Sequence, residues 1–307
     1  MPAVDVYSRQ EAVAFAPCHV SAFFVPHIEP RTPEKTGSWG AGICLGAGVA
    51  AKVQVEPSDT PGIKVHRQHA PEGEDGSARV TEAALRMLLS DHPLEVTCTV
   101  QEGAPVGQGL GVSGASALAA SFALARCLGE GRSTALRAAH VAEVRNRTGL
   151  GDVVASFLGG AVLRSAPGIA PHGAQQRLPV QGDLVLATVG EGIETQGVLR
   201  DREVMERISK VGTNCMQTVL QRPSLEAIFE QGALFDRETD LVSDETLTAI
   251  EACAEGGYAM AALLGNTVAA YGDTDILLDV LQGWGQPHVV PIDQSGLRLL
   301  DALPERA

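Results

Sequence analysis

The distribution of hydrophobic and polar positions over the first hundred residues predicts mainly β-strands. Short apolar runs, bounded by proline, glycine or polar residues, predict strands at 12–16, 43–55 and 63–67. The stretch LEVTCTV (94–100) alternates with a period of two and is rich in β-branched residues, which is typical of a half-buried strand. The helix predicted in this region covers 81–90, because its alanine and leucine residues recur at helical spacing.

Beyond residue 100 the pattern mixes helices and strands without a regular alternation. Helical spacing predicts helices at 113–128, 133–147 and 152–158. The elements predicted after residue 160 are strands at 161–164, 184–189 and 287–291, two strands around residues 265–266, and helices at 201–220, 224–236, 244–255 and 274–283. Glutamine, proline and glycine interrupt the pattern at 175–182. We therefore expect an α+β fold with two domains, 1–180 and 181–307.

The composition describes an acidic chain with enough apolar residues to form a core. The 307 residues carry a formal net charge of −14, 45% of them are hydrophobic, and only four of the 23 basic residues are lysine. Such a surface is unfavourable for binding nucleic acid or an anionic membrane, so we expect neither as a partner. The uncharged runs 103–125 and 256–272 are too rich in small residues to predict membrane spans. No signal peptide pattern and no C-x-x-C pair among the six cysteines is present, which predicts a cytoplasmic protein with reduced thiols.

The strongest chemical signal is the glycine-rich segment PVGQGLGVSGASALAA (105–120), between a predicted strand and a predicted helix. Glycines allow a backbone to turn tightly and to approach a ligand closely. The N-terminus of the following helix presents unpaired N–H groups and a partial positive charge. This segment therefore predicts a phosphate-binding loop, although a glycine-rich turn that only packs against the helix is an alternative.

Three phosphate-binding motifs compete for this segment. Residues 109–114 match the dinucleotide motif G-x-G-x-x-G, which keeps a dinucleotide-dependent oxidoreductase as an alternative, but several residues separate them from the preceding strand. The P-loop motif fails because Ala115 stands where its lysine is required. The motif P-x-G-x-G-L-G-[ST]-S of GHMP kinases finds five of its residues in place, namely Pro105, Gly107, Gly109, Leu110 and Gly111.

The sequence resembles the GHMP kinase superfamily and, within it, the archaeal-type pantoate kinases. The segments that carry this resemblance are APCHVSAFF (16–24), TGSWGAGICLGAGV (36–49), the loop at 105–116, TGLGDVVASFLGGAVLR (148–164) and GYAMAALLGNTVAA (257–270). The resemblance implies a two-domain fold, with an N-terminal ribosomal-S5-like α/β domain and a C-terminal ferredoxin-like α+β domain. It also implies ATP- and Mg²⁺-dependent phosphorylation of pantoate to 4-phosphopantoate in coenzyme A synthesis, in a cleft between the domains.

Two alternatives remain within this superfamily. The acceptor could be another small molecule, similar to homoserine or mevalonate. The chain could also bind nucleotide without catalysis, because Cys18 replaces a glycine of the first motif and Val112 stands where relatives often have serine. The apolar, alanine-rich elements leave room for a homodimer.

The resemblance assigns ATP contacts and catalytic roles to individual residues. The expected nucleotide contacts are Pro105, Gly107, Gly109, Leu110, Gly111, Val112, Ser113 and Gly114. Ser113 and Glu143 are the expected Mg²⁺ ligands, because a hydroxyl and a carboxylate are oxygen donors that suit this ion. Asp152 is the expected acceptor of the substrate proton. From the sequence alone, Ser113 and Asp152 could instead cap helices, and Glu143 could be a solvated helix acid.

Four further residues are expected to contact the acceptor substrate. Arg164 follows a glycine pair in a predicted strand, and its guanidinium group matches a carboxylate in a two-point fashion. His140 lies three residues before Glu143 on the same helix face, where it could bind substrate or be a structural histidine. Ser38 and His19 complete the set of candidates.

Overall fold

Two β-sheets with helices packed against them carry the fold. The structure, a computed structural model, describes residues 9–68, 76–90, 92–190 and 202–304. In these ranges the first sheet contains β1 (Gln10–His27), β2 (Gly37–Pro57), β3 (Gly62–Gln68), β4 (Leu94–Glu102), β5 (Ala161–Ala166), β6 (Ala174–Leu178) and β11 (Arg298–Leu300). The second sheet contains β7 (Asp183–Thr188), β8 (Gly257–Ala261), β9 (Thr267–Gly272) and β10 (His288–Pro291), in the order β10-β7-β9-β8.

Helices lie both between and after these strands. They are α1 (Gly76–Leu89), α2 (Val112–Cys127), α3 (Arg132–Asn146), α4 (Asp152–Leu158), α5 (Arg202–Gln221), α6 (Leu225–Thr239), α7 (Asp244–Ala252) and α8 (Thr274–Leu281), with short 3-10 turns at Pro33–Lys35 and Cys253–Glu255. The mixture of segregated helices and largely antiparallel strands confirms the predicted α+β class.

The long strand β2 divides the first sheet into two branches. The N-terminal half of β2 pairs with β5, with Gly40 opposite Arg164, and its C-terminal half pairs with β4. Strand β1 runs antiparallel to β2 over nearly its whole length. Because β5 is hydrogen-bonded to β2, Arg164 is held beside the start of β2, where Ser38 lies.

Most predicted elements are confirmed with shifts of a few residues at their ends, but α1 begins five residues earlier than predicted and the first sheet departs from prediction in four strands. Strand β2 begins at Gly37, six residues before the predicted start. Strand β1 continues through Pro17, where the sequence predicts its end, because a β-bulge between Pro17 and His19 accommodates a residue without an N–H group. Strands β6 and β11 are not predicted at all. The first has five residues, mostly exposed, and the second has three, so neither shows a clear alternation.

Helix α2 is the central helix of the core. Fourteen of its 16 residues are buried, and it packs against β1, β2, α1 and α3. A helix with small apolar residues on every face must be surrounded by protein. The uncharged run 103–125 is therefore largely core, as the sequence indicates, and within the described ranges we find no helix both long and apolar enough to span a membrane.

The second half of the chain shares this core. Gly212 of α5 lies so close to β1 that a Cβ atom there would be 2.5 Å from the carbonyl oxygen of Phe24. Buried residues of α5, α6 and β8 join those of the first sheet in one hydrophobic cluster. The second sheet begins at Asp183, next to the expected boundary, whereas β11 returns to the first sheet. The division of the chain at residue 180 therefore stays a proposal.

Candidate active site

A glycine-rich loop joins β4 to α2, as the sequence predicts. Gly107, Gly109 and Gly111 have φ angles of +82°, +80° and +64°, which other residues rarely adopt. Gly111 is the N-cap of α2, so the first N–H groups of this long helix are free to bind an anion. Helix α2 leads into α3 and not into a parallel strand, so the match to G-x-G-x-x-G does not open the βαβ unit that a dinucleotide site requires.

A turn between β8 and β9 covers this loop. A Cβ atom on Gly109 would lie 2.5 Å from the carbonyl oxygen of Ala262, and one on Gly265 would overlap the backbone of Gln108 and Gly109. The hydroxyl of Thr188 donates to the side-chain oxygen of Gln108 at 2.8 Å. These contacts hold the loop in one shape. The nucleotide contacts expected from Pro105 to Gly114 stay predictions.

The half-buried Ser113 and the buried Glu143 form a hydrogen-bonded pair beside the loop. The Ser113 hydroxyl donates to Oε1 of Glu143 at 2.9 Å, and Glu143 is only 2% exposed. Burial, and to a smaller extent the nearby negative charge of Asp152, raise the pKa of the Glu143 carboxyl to about 8, although the hydrogen bonds from Ser113 and Thr148 act to lower it. Glu143 is therefore no solvated helix acid, and Gly111, not Ser113, caps α2.

Asp152 begins α4 and points its carboxylate at His19 of β1. The distance from Nδ1 of His19 to Oδ1 of Asp152 is 2.7 Å; the histidine side chain is fully buried and that of Asp152 is 24% exposed. Burial raises the pKa of Asp152, but the interaction with His19, the positive charge of Arg164 and a main-chain hydrogen bond together lower it below its ordinary value. Asp152 is therefore an accessible, ionised carboxylate at neutral pH.

The guanidinium group of Arg164 is buried and has no hydrogen-bond partner in the part of the chain that the structure describes. Arg164 is 2% exposed, and none of its three side-chain nitrogens has a hydrogen-bond partner among the described residues. It lies beside Gly151, where a Cβ atom would be 2.7 Å from its Nε and 2.8 Å from Oγ of Ser38. Burial lowers the pKa of Arg164. Because a buried unpaired charge is costly, this group is suited to bind an anionic ligand.

His140 is buried in α3 and holds a main-chain turn. Its Nε2 donates to the carbonyl oxygen of Pro33 at 3.1 Å, and the ring is 2% exposed. Burial lowers the pKa of His140, while its hydrogen bonds to the backbone of Pro33 and Thr36 raise it. The histidine thus fixes the 3-10 turn that precedes β2 and Ser38. A direct contact of His140 with substrate stays a prediction.

The segment from α1 to α4 matches a known family. Residues 78–160 match the GHMP kinases N terminal domain. The pantoate kinase of Thermococcus kodakarensis is 31% identical to this chain over 236 residues, which are 76% of this chain and 77% of that protein. This chain belongs to the pantoate kinase family.

A second relative and a solved structure extend the similarity over nearly the whole chain. The pantoate kinase of Methanocaldococcus jannaschii is 28% identical over 285 residues, covering 91% of this chain and 99% of that protein. A solved phosphotransferase related to the coenzyme A biosynthesis pathway is 25% identical and has a TM-score of 0.86, covering 96% of this chain and all of that one. This member of the pantoate kinase family is therefore a small-molecule kinase with a GHMP fold, and GHMP kinases use ATP.

Sequence reasoning missed two features of this family member. The first is the pairing of His19 with Asp152, which are 133 residues apart and which nothing in the local pattern connects. The second is Asp236 in α6, a fully buried carboxyl whose Oδ2 accepts a hydrogen bond from the main-chain N–H of Ala261 at 2.8 Å. Burial raises the pKa of Asp236 to about 8. Its helix is amphipathic, so the sequence predicts only that some residues of α6 are buried.

Proposed function

We propose that this kinase transfers the γ-phosphoryl group of ATP to the primary hydroxyl of pantoate, giving 4-phosphopantoate and ADP for coenzyme A synthesis. The observation that carries the proposal is the buried, unpartnered guanidinium of Arg164, which lies near Asp152 and beside Ser38. A carboxylate is the natural partner for that group, because it accepts two parallel hydrogen bonds from a guanidinium. Pantoate has a carboxylate and a primary hydroxyl on one small skeleton.

Arg164 alone does not choose among hydroxy acids, since homoserine and mevalonate also carry a carboxylate. The choice of pantoate rests on the relatives. They are pantoate kinases, and the similarity to this chain covers most of their length. An oxidoreductase is disfavoured, because the loop opens no βαβ unit. A relative that binds nucleotide without catalysis is disfavoured, because the Asp152 carboxylate is ionised and its side chain is 24% exposed.

The glycine-rich loop and the first turn of α2 are suited to hold the phosphates of ATP. Ser113 and Glu143 would hold a Mg²⁺ ion, which neutralises phosphate charge when bound. The chemistry of this pair fits the ion. Two oxygen donors are adjacent, and because burial and the negative charge of Asp152 raise the pKa of Glu143, a bound cation would favour its ionised form.

Asp152 is the group that would accept the substrate proton. As the hydroxyl oxygen of pantoate bonds to the γ-phosphorus, the bond from that phosphorus to the bridging oxygen of ADP breaks, and the hydroxyl proton passes to the Asp152 carboxylate. The lowered pKa keeps Asp152 ionised and ready at neutral pH. Arg164 would hold the carboxylate end of pantoate and so orient the hydroxyl.

Product identification by mass spectrometry, together with an Asp152→Asn variant, tests this proposal. With ATP, Mg²⁺ and pantoate, we expect the wild-type protein to form phosphopantoate and ADP in equal amounts. The Asp152→Asn variant should lose at least about 100-fold in kcat, the range typical of a general base. Asp279→Asn, on an exposed face of α8, is the matched control and should keep wild-type activity. Absence of phosphopantoate, or an Asp152→Asn variant within tenfold of wild type, would contradict the proposal.

Two properties of the whole protein complete the proposal. We expect a cytoplasmic enzyme, since its substrates are small polar anions and its described cysteines are all free thiols. We also expect a homodimer, for which size-exclusion chromatography with light scattering is the direct measurement.

A further inference from the structure

His19 connects two parts of the site that the sequence leaves far apart. Its main-chain N–H donates to the carbonyl oxygen of Leu110 in the glycine-rich loop at 3.0 Å. Its side chain reaches the opposite way, to Oδ1 of Asp152 at 2.7 Å. One residue of β1 is therefore hydrogen-bonded both to the loop suited to ATP and to the carboxylate suited to accept the substrate proton.

The neighbouring residues of β1 and β2 fix the orientation of the His19 side chain. The ladder between β1 and β2 is regular up to Pro17 and resumes at His19 with a shifted register, so a bulge lies next to the histidine. Such bulges re-aim the side chains beside them. Opposite the ring, Gly42 of β2 has no room for a Cβ atom, which would overlap the imidazole. The ring is fully buried, so it contacts no solvent.

The protonation of this pair follows from its neighbours. Burial lowers the pKa of His19 and the positive charge of Arg164 adds to this, whereas the hydrogen bond that His19 donates to Asp152 and the negative charge of Asp152 raise it. A neutral imidazole can donate to an ionised carboxylate at Nδ1 only if the proton is on Nδ1. Nε2, which has no hydrogen-bond partner in the described part of the chain, is then the bare nitrogen.

We propose that His19 is a positioning residue that, by the hydrogen bond from Nδ1, fixes the Asp152 carboxylate at a set separation from the glycine-rich loop. The second oxygen of Asp152 is then left to face the substrate hydroxyl. In this proposal His19 acts through Asp152 and makes no contact with a substrate, since its Nε2 edge packs against Gly42 of β2. This inference rests on the proposed function, since it gives Asp152 the role of proton acceptor.

The test compares His19→Asn with His19→Gln. The amide nitrogen of asparagine is as many bonds from Cα as Nδ1 is, whereas that of glutamine lies one bond further out. We expect His19→Asn to keep kcat within about fivefold of wild type, and His19→Gln and His19→Leu to lose roughly 10- to 100-fold, as is usual when an orienting contact is lost. The KM values for ATP and pantoate should change less than about threefold in all three variants, because the substrates do not touch this side chain.

A different pattern of rates would overturn the inference. Equal kcat values for His19→Asn and His19→Gln, or a loss that appears in KM alone, would show that His19 does not act by fixing Asp152. Thermal melting of each variant separates lost stability from lost positioning, and the Asn–Gln comparison still decides if His19→Leu fails to fold. Turnover of pantoate by the wild-type protein is measured first. If the wild-type protein does not phosphorylate pantoate, the proposed function is wrong. If it does, but His19→Asn and His19→Gln have the same kcat, this inference is wrong.

Discussion

At the scale of single residues, the site separates two carboxyl groups by their surroundings. Burial and a neighbouring negative charge raise the pKa of Glu143, whereas His19 and Arg164 lower that of Asp152. Opposite shifts of this kind mark different chemical roles. Asp152 is ionised at neutral pH, which suits a proton acceptor. The ionised form of Glu143 is favoured when a cation is near, which suits a metal ligand.

The unpaired charge of Arg164 leads to a prediction that joins stability and function. An Arg164→Met variant keeps most of the volume but removes a buried cation that has no partner in the described structure. We expect the Tm without ligand to stay level or rise. The KM for pantoate should rise roughly 10- to 100-fold, since a hydrogen bond to a charged group contributes about 1.5–3 kcal/mol.

The matched control is Arg207→Met, which removes an exposed surface ion pair with Asp240 and should leave both quantities unchanged. Thermal melting and steady-state kinetics give the two measurements. A large fall in Tm with an unchanged pantoate KM would assign Arg164 a structural role.

The buried carboxyl of Asp236 predicts a pH dependence of stability. Its pKa is about 8 in the folded protein, against an ordinary value of 3.8. Between these values the folded state keeps a proton that the unfolded state has lost, so this group makes the protein less stable as the pH rises from about 4 to about 8. Asp236→Asn removes the titration and keeps an oxygen for the N–H of Ala261. The Tm of the variant minus that of the wild type should therefore increase as the pH rises from 5 to 8. A Tm difference that is constant over this range would contradict the assignment.

At the scale of elements, the helix α2 and the loop before it were the most predictable part of the molecule. Their signals are local: glycines at short intervals, then an apolar helix that ends near Gly129. Strands β6 and β11 could not be predicted, because short edge strands are stabilised by pairing with distant strands and not by their own pattern.

The same distinction holds for the site. Asp152 and Arg164 are candidates because they lie in the segment 148–164, which resembles a known family, and Glu143 is a candidate because the same resemblance favours it over a solvated helix acid. The hydrogen bond between His19 and Asp152 depends on how β1 packs against α4, which no local pattern encodes. The burial of Arg164 without a hydrogen-bond partner in the described residues likewise depends on the pairing of β5 with β2, which no local pattern encodes.

The contact between the β8–β9 turn and the glycine-rich loop predicts that a change in this turn alters ATP binding by the loop. Gly265→Ala would place a methyl group on the backbone of Gln108 and Gly109, so the loop must shift. We expect the KM for ATP to rise about tenfold or more, because a displacement of about 1 Å in a positioned site is costly. Gly131→Ala, where a Cβ atom meets nothing within 4 Å, is the control and should leave the KM for ATP unchanged. An unchanged KM in Gly265→Ala would show that the turn does not set the loop.

At the scale of the whole molecule, a chain with a net charge of −14 is nevertheless suited to small anions. The charge disfavours large polyanionic partners, whereas one nucleotide can be held by main-chain N–H groups and a helix N-terminus. None of the four lysines lies in the glycine-rich loop or in 148–164. Among the candidate site residues the cationic side chain is the buried Arg164, which is suited to bind a carboxylate. The two halves of the chain meet at the site, since the turn at 262–265 covers the loop that precedes α2.

The most direct test of the central claim is an ADP-release assay that compares kcat/KM for pantoate, homoserine and mevalonate with the same wild-type protein, ATP and Mg²⁺. We predict that the value for pantoate exceeds each of the others by at least about tenfold, which corresponds to about 1.4 kcal/mol of preferential transition-state binding. Equal or greater efficiency with another acceptor, or no acceptor-dependent release of ADP at all, would contradict the account.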